Sequence, residues 1–286
     1  MPGPPRFGAS PLADPRGLRV AAEALAFTYP DGTAALAGVD LEIEAGERVA
    51  IIGQNGSGKS TLVRHFNGLL RASSGRVLVG DAPVGDRHVA DLARAVGIVF
   101  QNPDRQIFAG NVRAEVAFGP RNLGVSGSEL EGRITSALEA VGLAGQEATN
   151  PYDLGYSRRK LLGIACVLAM STPVVILDEP TTGQDARGVA RVQGIADDLT
   201  TAGRTVIAIS HDMRFVAETF ARVVVMEAGR VTLDGTPAEV FAAANWETLA
   251  RTYVDPPLAS RIGDRLGLGS TPTDAALIEA VVARGG

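Results

Sequence analysis

The sequence has few of the residues that build disulfides or histidine-based metal centres. Only one of its 286 residues is cysteine and only three are histidine. A single cysteine, Cys166, excludes an internal disulfide, and its apolar neighbours predict an inert buried thiol. Three histidines argue against a metal centre built from imidazole ligands.

The chain also lacks a surplus of basic residues and an apolar run long enough to span a bilayer. Its net charge of −5 argues against a dominant role in nucleic-acid binding. No signal-peptide core is visible, and the Pro/Gly-rich residues 1–17 are predicted to be flexible. Residues 161–177 are uncharged, but they are few for a membrane span and Pro173 divides them. We predict a buried helix ending near Met170, followed by a buried strand over residues 174–177.

What the sequence does contain is a phosphate-loop motif. Residues 53–60 read Gly-Gln-Asn-Gly-Ser-Gly-Lys-Ser, which fits the pattern G-x-x-x-x-G-K-[ST] without a mismatch. A β-branched run precedes the motif and apolar residues at helical spacing follow it, so it joins a strand to a helix. Gly56 and Gly58 allow close approach of the backbone to phosphates, and the helix N-terminus adds partial positive charge. Lys59 is predicted to reach the β- and γ-phosphates of a nucleoside triphosphate, and Ser60 to ligate Mg²⁺.

A second motif is an apolar strand that ends in two carboxylates. Residues 174–177 are followed by Asp178 and Glu179. In a nucleotide-binding α/β sheet, ligands bind at the carboxyl edge of the strands. We therefore predict that Asp178 holds Mg²⁺ through water and that Glu179 orients or deprotonates the attacking water. The alternative is a strand end with two solvated acids. The central expectation is that the glycine loop and the carboxylate pair converge on the terminal phosphate.

Three further side chains have less specific signals. His211 follows the strand-like run 206–210 and is predicted to hydrogen-bond the γ-phosphate, although a lone histidine is often structural. Gln101 follows the run 98–100 and can contact Mg²⁺ or its water. Tyr29 can stack on adenine or be an ordinary exposed tyrosine in a turn.

Strand-like and helix-like runs alternate along most of the chain. Residues 18–48 show a period of two and predict an antiparallel layer. Residues 103–145 predict a mostly helical insertion, with a capping box at Ser128 and Glu131 and a helix stop at Gly142. The remaining alternation predicts a mainly parallel sheet covered by helices on both faces.

These residues, in this order, resemble the ATP-binding cassette (ABC) ATPases over residues 18–240. The resemblance implies an α/β P-loop NTPase fold with a mainly parallel core, an N-terminal antiparallel β-layer and a helical subdomain over residues 102–170. Residues 241–286 would form a C-terminal helical extension. It also implies a dimer that closes around two ATP molecules with Mg²⁺, and Asp185 matches the aspartate at the dimer interface. The nucleotide ligands implied are Tyr29, Gly53, Asn55, Gly56, Ser57, Gly58, Lys59, Ser60, Thr61, Gln101, Asp178, Glu179 and His211. Of these, Lys59, Gln101, Glu179 and His211 are the implied catalytic residues, and Ser60, Gln101 and Asp178 the implied metal ligands.

One segment departs from the family pattern. Where the family has Leu-Ser-Gly-Gly-Gln, residues 154–158 read Leu-Gly-Tyr-Ser-Arg. Gly155 replaces the serine and Tyr156 a glycine that contact the partner's γ-phosphate in the family. Ser157 is predicted to cap the following helix while offering a hydroxyl. The departure puts in question what this segment contributes to the partner's ATP site.

Two stretches, residues 99–108 and 116–120, narrow the resemblance to the ATPases of energy-coupling factor importers. That resemblance implies uptake of a vitamin or of cobalt or nickel ions. It also implies a second ABC ATPase, a membrane coupling protein and a substrate-binding membrane subunit as partners, and a peripheral location at the cytoplasmic face of the membrane. Asp104 and Arg105 would contact the coupling protein, unless they are a solvated surface pair. The tail after Pro237 would assist dimer contacts.

Three functions remain open at this point. A transport ATPase agrees with all the motifs. A soluble cassette protein of repair, translation or regulation usually has two cassettes, a long coiled coil or a basic patch, none of which is visible here. A hydrolysis-poor structural subunit is suggested by residues 154–158 but opposed by the intact Glu179.

Overall fold

The computed structural model describes residues 16–285. The described chain divides into two compact units. The loop unit contains the glycine-rich motif and comprises residues 20–43, 48–85 and 208–285. The acid unit contains Asp178 and Glu179 and comprises residues 16–19, 44–47 and 86–207. The predicted flexible segment, residues 1–17, lies outside the described residues except for its last two.

The strands are β1 (Val20–Thr28), β2 (Ala34–Ile43), β3 (Arg48–Ile52), β4 (Ser74–Val79), β5 (Ala82–Pro83), β6 (Val96–Val99), β7 (Val174–Asp178), β8 (Thr205–Ile209), β9 (Arg222–Glu227) and β10 (Arg230–Gly235). The α-helices are α1 (Lys59–Phe66), α2 (Val89–Leu92), α3 (Val112–Asn122), α4 (Gly127–Val141), α5 (Tyr156–Met170), α6 (Ala186–Thr201), α7 (Met213–Thr219), α8 (Pro237–Val240), α9 (Trp246–Arg251), α10 (Leu258–Arg265) and α11 (Asp274–Gly285).

The loop unit contains the predicted antiparallel layer. Its four strands have the order β2-β1-β4-β5, and every neighbouring pair is antiparallel. The period of two at Leu41 and Ile43 places both side chains in the core while Glu42 between them is exposed. The same unit holds β3, which pairs in parallel with β9, and β9 pairs in antiparallel with β10. All residues of β3 after Arg48 are buried, which fixes the start of the glycine loop.

The acid unit is mainly helical. Its strands β6 and β7 form a parallel pair, and α3 and α4 both pack against α5. Residues 161–177, whose apolar character required a membrane check, form most of α5 and β7, as predicted. No helix within residues 16–285 is both long enough and apolar enough to cross a membrane. The single cysteine, Cys166, is buried on α5, and burial raises the pKa of its thiol above the ordinary value.

Two predicted helix ends have different outcomes. Gly142 ends α4 in a left-handed conformation with φ of +69°, so the predicted stop is confirmed. The predicted capping box at Ser128 and Glu131 is wrong. The helix begins at Gly127, which places Ser128 inside the first turn, and the cap residue Ser126 makes no side-chain cap. The Glu131 carboxylate instead forms an ion pair with Arg113 of α3, which links α4 to α3.

Candidate nucleotide site

The glycine loop of the loop unit has a backbone that only glycine adopts easily. Gly53 has φ of +139° and Gly58 has φ of +103°, both outside the range that side chains favour. A Cβ atom at Gly53 would lie 2.2 Å from the carbonyl oxygen of Met226 on β9. A Cβ at Gly58 would lie 2.6 Å from the Ala35 carbonyl oxygen. The loop therefore holds its shape through close backbone packing, which a larger residue at either position would break.

Lys59 begins α1, and its side chain folds back over the loop. The ammonium Nζ donates to the carbonyl oxygens of Gly53 at 2.6 Å and Gln54 at 2.7 Å. Lys59 is buried, as are Ser57 and Thr61 on either side of it. A buried ammonium beside a turn of backbone N–H groups at a helix N-terminus is an arrangement that attracts anions. The loop therefore has the charge and the shape to accept phosphates.

Tyr29 lies beside the same loop. Its hydroxyl and the Thr61 hydroxyl are hydrogen-bonded at 3.0 Å, and its ring meets that of Phe27 edge to face at 4.8 Å. The tyrosine is half-buried rather than fully exposed. Its ring is thus held in a fixed position next to α1, where an aromatic face is available to a base.

His211 is also brought to the glycine loop. Its Nε2 lies 3.1 Å from Oδ1 of Asn55, so the imidazole N–H donates to the amide oxygen. Burial lowers the pKa of His211, and the positive charge of Lys59 lowers it further. Both effects favour the neutral imidazole at neutral pH, which has one N–H donor and one acceptor nitrogen. The loop unit therefore unites the glycine loop, Tyr29 and His211.

Asp178 is the last residue of β7 in the acid unit, and Glu179 follows it directly. Every residue of β7 is buried, and Asp178 and Glu179 are only 3% and 5% exposed. Glu179 has φ of +53°, a left-handed conformation that is costly for a non-glycine residue. Its carbonyl oxygen accepts from Thr182 N at 3.3 Å, and its carboxylate from the Thr182 hydroxyl at 3.5 Å. Backbone strain of this kind is typical of functional positions.

Lys160 is a charged residue near these acids that the sequence reasoning missed. It lies on α5, is fully buried, and its Nζ makes no hydrogen bond within the described residues. Burial lowers the pKa of Lys160 to about 8, against the opposing pull of the Glu179 and Asp178 carboxylates. In sequence, Lys160 appears only as one of three consecutive basic residues, and nothing in that pattern distinguishes the buried one.

Gln101 is exposed in the turn that follows β6. A second glutamine, Gln106, ties this turn to α5. Its side chain accepts from Phe100 N at 3.3 Å and donates to the Gly163 carbonyl at 3.2 Å. Asp104 does not pair with Arg105, since its carboxylate lies 3.0 Å from Nε of Arg159 on α5. Gln106 therefore fixes the base of the segment, while Gln101 is accessible.

The divergent segment 154–158 leads into α5. The helix begins at Tyr156 with Gly155 as its cap residue, so the prediction that Ser157 caps the helix is wrong. The Ser157 hydroxyl instead donates to Oε1 of Gln184 at 2.7 Å, and Nε2 of Gln184 donates to the Ser157 carbonyl at 3.0 Å. A Cβ on Gly183 would lie 2.9 Å from the Tyr156 ring. The segment is thus tied to residues 183–184.

Asp185, the next residue, caps α6 by accepting from Gly188 N at 2.8 Å. Gln184 is therefore hydrogen-bonded to Ser157 at the start of α5, and the next residue, Asp185, caps the start of α6. The cap residue of α5, Gly155, makes no side-chain cap hydrogen bond.

The glycine loop with its buried lysine, on an α/β scaffold, is typical of a phosphate-loop nucleotide-binding protein. The family described as ABC transporter matches residues 36–182. The energy-coupling factor transporter ATP-binding protein EcfA of Methanocaldococcus jannaschii is 44% identical over 220 residues, which cover 76% of this chain and 79% of that protein. EcfA of Methanothermobacter thermautotrophicus is 40% identical over 255 residues, or 88% and 81% of the two chains.

Solved structures agree with these relatives. The structure of cbiO1 from Clostridium perfringens, described as part of the ABC transporter complex cbiONQ, has 37% sequence identity and a TM-score of 0.72, covering 87% of this chain and 98% of that one. A dimeric ATP-binding cassette in a post-hydrolysis state with ADP and Pi has 25% identity and a TM-score of 0.69, covering 76% and 98%. The chain belongs to the ABC transporter family and is an ATP-hydrolysing transport ATPase. The predicted fold class is thereby confirmed.

Proposed function

We propose that the chain is the ATP-binding subunit of a membrane importer of the energy-coupling factor type, which couples ATP hydrolysis to uptake of a vitamin or of cobalt or nickel ions. The observation that carries this proposal is the similarity to EcfA proteins, at 40% to 44% identity over most of both chains. The similarity to cbiO1, which is part of a transporter complex, supports it.

In this proposal the loop unit binds the nucleotide. Lys59 leaves the carbonyls of Gly53 and Gln54 and donates to the β- and γ-phosphates, while the loop N–H groups hold the remaining phosphate oxygens. Tyr29 stacks on adenine, and His211 moves from Asn55 to the γ-phosphate. The hydrogen bonds now made within the loop are those that phosphate oxygens would replace.

The proposed chemistry is hydrolysis of the terminal phosphate. Glu179 orients and deprotonates the attacking water, and Ser60, Asp178 and Gln101 are the proposed ligands of Mg²⁺ or of its waters. Within residues 16–285 no group of three His, Cys, Asp or Glu side chains is placed to hold a metal alone. An ion here would therefore complete its shell with phosphate oxygens, as Mg²⁺ commonly does. When bound, Mg²⁺ neutralises the negative charge of the phosphates.

The proposed dimer partner is a second ABC ATPase, either another copy or a different chain. Asp185 and segment 154–158 are the proposed surfaces toward that partner's nucleotide. The C-terminal extension supports a contact role, because α10, the residue that follows it and α11 carry apolar side chains that are at least one-third exposed, namely Leu258, Ile262, Leu266, Ile278, Val281 and Val282. Exposed apolar residues in such number are typical of a surface that meets another protein.

The proposed membrane partners are the coupling protein and the substrate-binding subunit, reached from the cytoplasmic face. Phe108 and Phe118 support this contact, because the two rings meet edge to face at 4.7 Å and are 61% and 48% exposed. Aromatic residues are enriched where proteins bind one another. Arg105 is exposed in the same stretch, whereas Asp104 is held by Arg159.

The test is uptake of labelled cobalt, nickel and a panel of vitamins by cells that produce the chain with the membrane proteins that co-purify with it. We expect one labelled compound to accumulate with the wild-type chain and with Glu139→Gln, a control on exposed α4 surface, but not with Glu179→Gln. Recovery of only soluble partners, or no accumulation despite active ATP hydrolysis, would favour the soluble cassette role.

A further inference from the structure

A cavity in the acid unit lies apart from every residue discussed so far. It is a partly open pocket of about 50 Å³ between α4, α5, α6 and the turn that leads to β8. This volume has room for several water-sized groups, such as the head group and first methylenes of a small ligand. The cavity is lined by Arg133, Ser136, Ala137, Leu168, Asp198, Leu199, Ala202 and Arg204. Most of this surface is apolar, and two guanidinium groups interrupt it.

Arg204 is the unusual member of this lining. It is 1% exposed, and its Nη2 donates to the Ser171 hydroxyl at 2.7 Å. Its Nε and Nη1 donate no hydrogen bond within the described residues. A guanidinium has five N–H donors and remains charged, so a buried one that contacts only a neutral hydroxyl is strongly destabilising. An anion in the cavity would supply the missing acceptors.

Arg133 adds a second positive charge to the same cavity. One of its nitrogens pairs with Glu129 at 2.7 Å, its Nη1 makes only long contacts of 3.3 and 3.4 Å with carbonyls of α5, and its Nε has no partner in the described chain. Burial lowers the pKa of Arg204, and repulsion from Arg133 lowers it further. Asp198 contributes one carboxylate to the lining. Arg204, whose Nε and Nη1 lack acceptors within the described residues, is the cation that an anionic ligand in the cavity would pair with.

We propose that this cavity binds a small amphiphilic anion, a carboxylate or phosphate group joined to a short apolar chain. The anionic group accepts hydrogen bonds from the Arg204 and Arg133 guanidiniums, whose planar geometry suits either oxyanion. The apolar chain packs against Leu168, Leu199 and Ala137. A bound ligand joins α4, α5 and α6, and it therefore stabilises the folded acid unit by mass action.

The experiment is calorimetric titration of the nucleotide-free protein with three probes of equal chain length. Sodium hexanoate carries the carboxylate, hexyl phosphate carries the phosphate, and hexanamide is the neutral control. Hexyl phosphate is titrated into the Lys59→Ala variant, so that binding at the glycine loop is removed. We expect one hexanoate or hexyl phosphate per chain, and an affinity for hexanamide at least about tenfold lower. The stronger of the two anions identifies the preferred head group.

Two cavity variants and one matched control decide the location. Arg133→Gln removes a cation, and Ala202→Leu narrows the cavity at an exposed position where a larger side chain is tolerated. Both are expected to weaken binding of the anionic probe at least about tenfold. Arg121→Gln, which removes an exposed arginine from α3, should leave it unchanged.

The proposal is overturned if neither anion binds, if hexanamide binds as well as the anions, or if both cavity variants bind like the wild type. Equal loss with Arg121→Gln would show non-specific attraction and would also overturn it. ATP hydrolysis and uptake are measured separately, so a negative result here leaves the proposed transport function intact.

Discussion

At the scale of single residues, the strongest features are those where the backbone or the burial is unusual for the residue type. Glu179 adopts a left-handed conformation at the end of a buried strand, and Gly53 has no room for a Cβ atom. Both positions lie in motifs that the sequence alone identified, because a contiguous pattern of residue types specifies a local geometry.

Replacement of Glu179 tests its catalytic role. Glu179→Gln keeps the shape of the side chain but removes the proton acceptor, so ATP turnover should fall at least about 10²-fold while ATP binding is retained. Steady-state phosphate release and nucleotide titration measure the two quantities, with Glu139→Gln as the control. Unchanged turnover would remove Glu179 from the catalytic role.

Lys160 gives a prediction about stability and pH. Its pKa is about 8 in the folded chain and near 10.5 when unperturbed, so between these values the unfolded chain binds more protons. The free energy of unfolding should therefore rise with pH in this window, by roughly 1–2 kcal/mol between pH 7.5 and 9.5. Urea unfolding of the metal-free and nucleotide-free protein measures this rise.

Lys160→Met should abolish the rise, because methionine does not titrate. The same dependence on pH in wild-type and variant protein would show that Lys160 is not the titrating group. This residue also shows what local sequence cannot reveal, since burial of one lysine among three basic neighbours depends on which face of α5 packs inward.

At the scale of elements, the alternating and helical periodicity of the sequence predicted the strands and the long helices. The wrong predictions concern the residues that cap the N-termini of α4 and α5. The capping box at Ser128 failed because the cap residue of α4 is Ser126, two residues earlier, and because Glu131 pairs with Arg113 on another helix. Thr236 and Glu239, by contrast, do form a reciprocal capping box at the start of α8. A cap is predictable when both members are local, and it fails when a tertiary partner competes for the carboxylate.

The segment 154–158 leads to a prediction about the partner's ATP site. The double change Gly155→Ser and Tyr156→Gly restores the family residues, and the serine hydroxyl can then donate to a phosphate oxygen across the dimer. We expect turnover by the assembled dimer to rise several-fold, about 1 kcal/mol of transition-state stabilisation. Tyr152→Gly is a control at another exposed tyrosine. No gain, with intact dimer formation, would show that the divergent segment is not limiting.

The exposed aromatic pair of α3 and the preceding loop gives a prediction about assembly. Changing Phe108 and Phe118 together to serine should leave ATP hydrolysis by the isolated protein unchanged, because neither ring belongs to the nucleotide site. Binding to vesicles that contain the coupling protein should weaken at least about tenfold, as expected for aromatic anchors at an interface. Tyr253→Ser, at a residue 84% exposed in the loop unit, is the matched control. Equal vesicle binding by all variants would contradict this docking surface.

At the scale of the whole molecule, the family and its reaction follow from motifs, whereas the arrangement of partners does not. The order of the glycine loop, the acid pair and His211 along the chain identified the ABC ATPases, and the comparisons confirmed it. The pairing of His211 with Asn55 joins residues 156 positions apart, and only the folded chain displays it. The cavity around Arg204 has no sequence signal, because its lining comes from three helices and a turn.

The most direct test of the account is the structure of this chain with Mg²⁺ and a non-hydrolysable ATP analogue. The account predicts that the triphosphate occupies the loop from Gly53 to Thr61, with the Lys59 ammonium moved from the Gly53 and Gln54 carbonyls to the phosphates and with the Glu179 carboxylate facing the terminal phosphate. A nucleotide bound elsewhere, or a loop that keeps Lys59 on its own carbonyls while the analogue is bound, would contradict it.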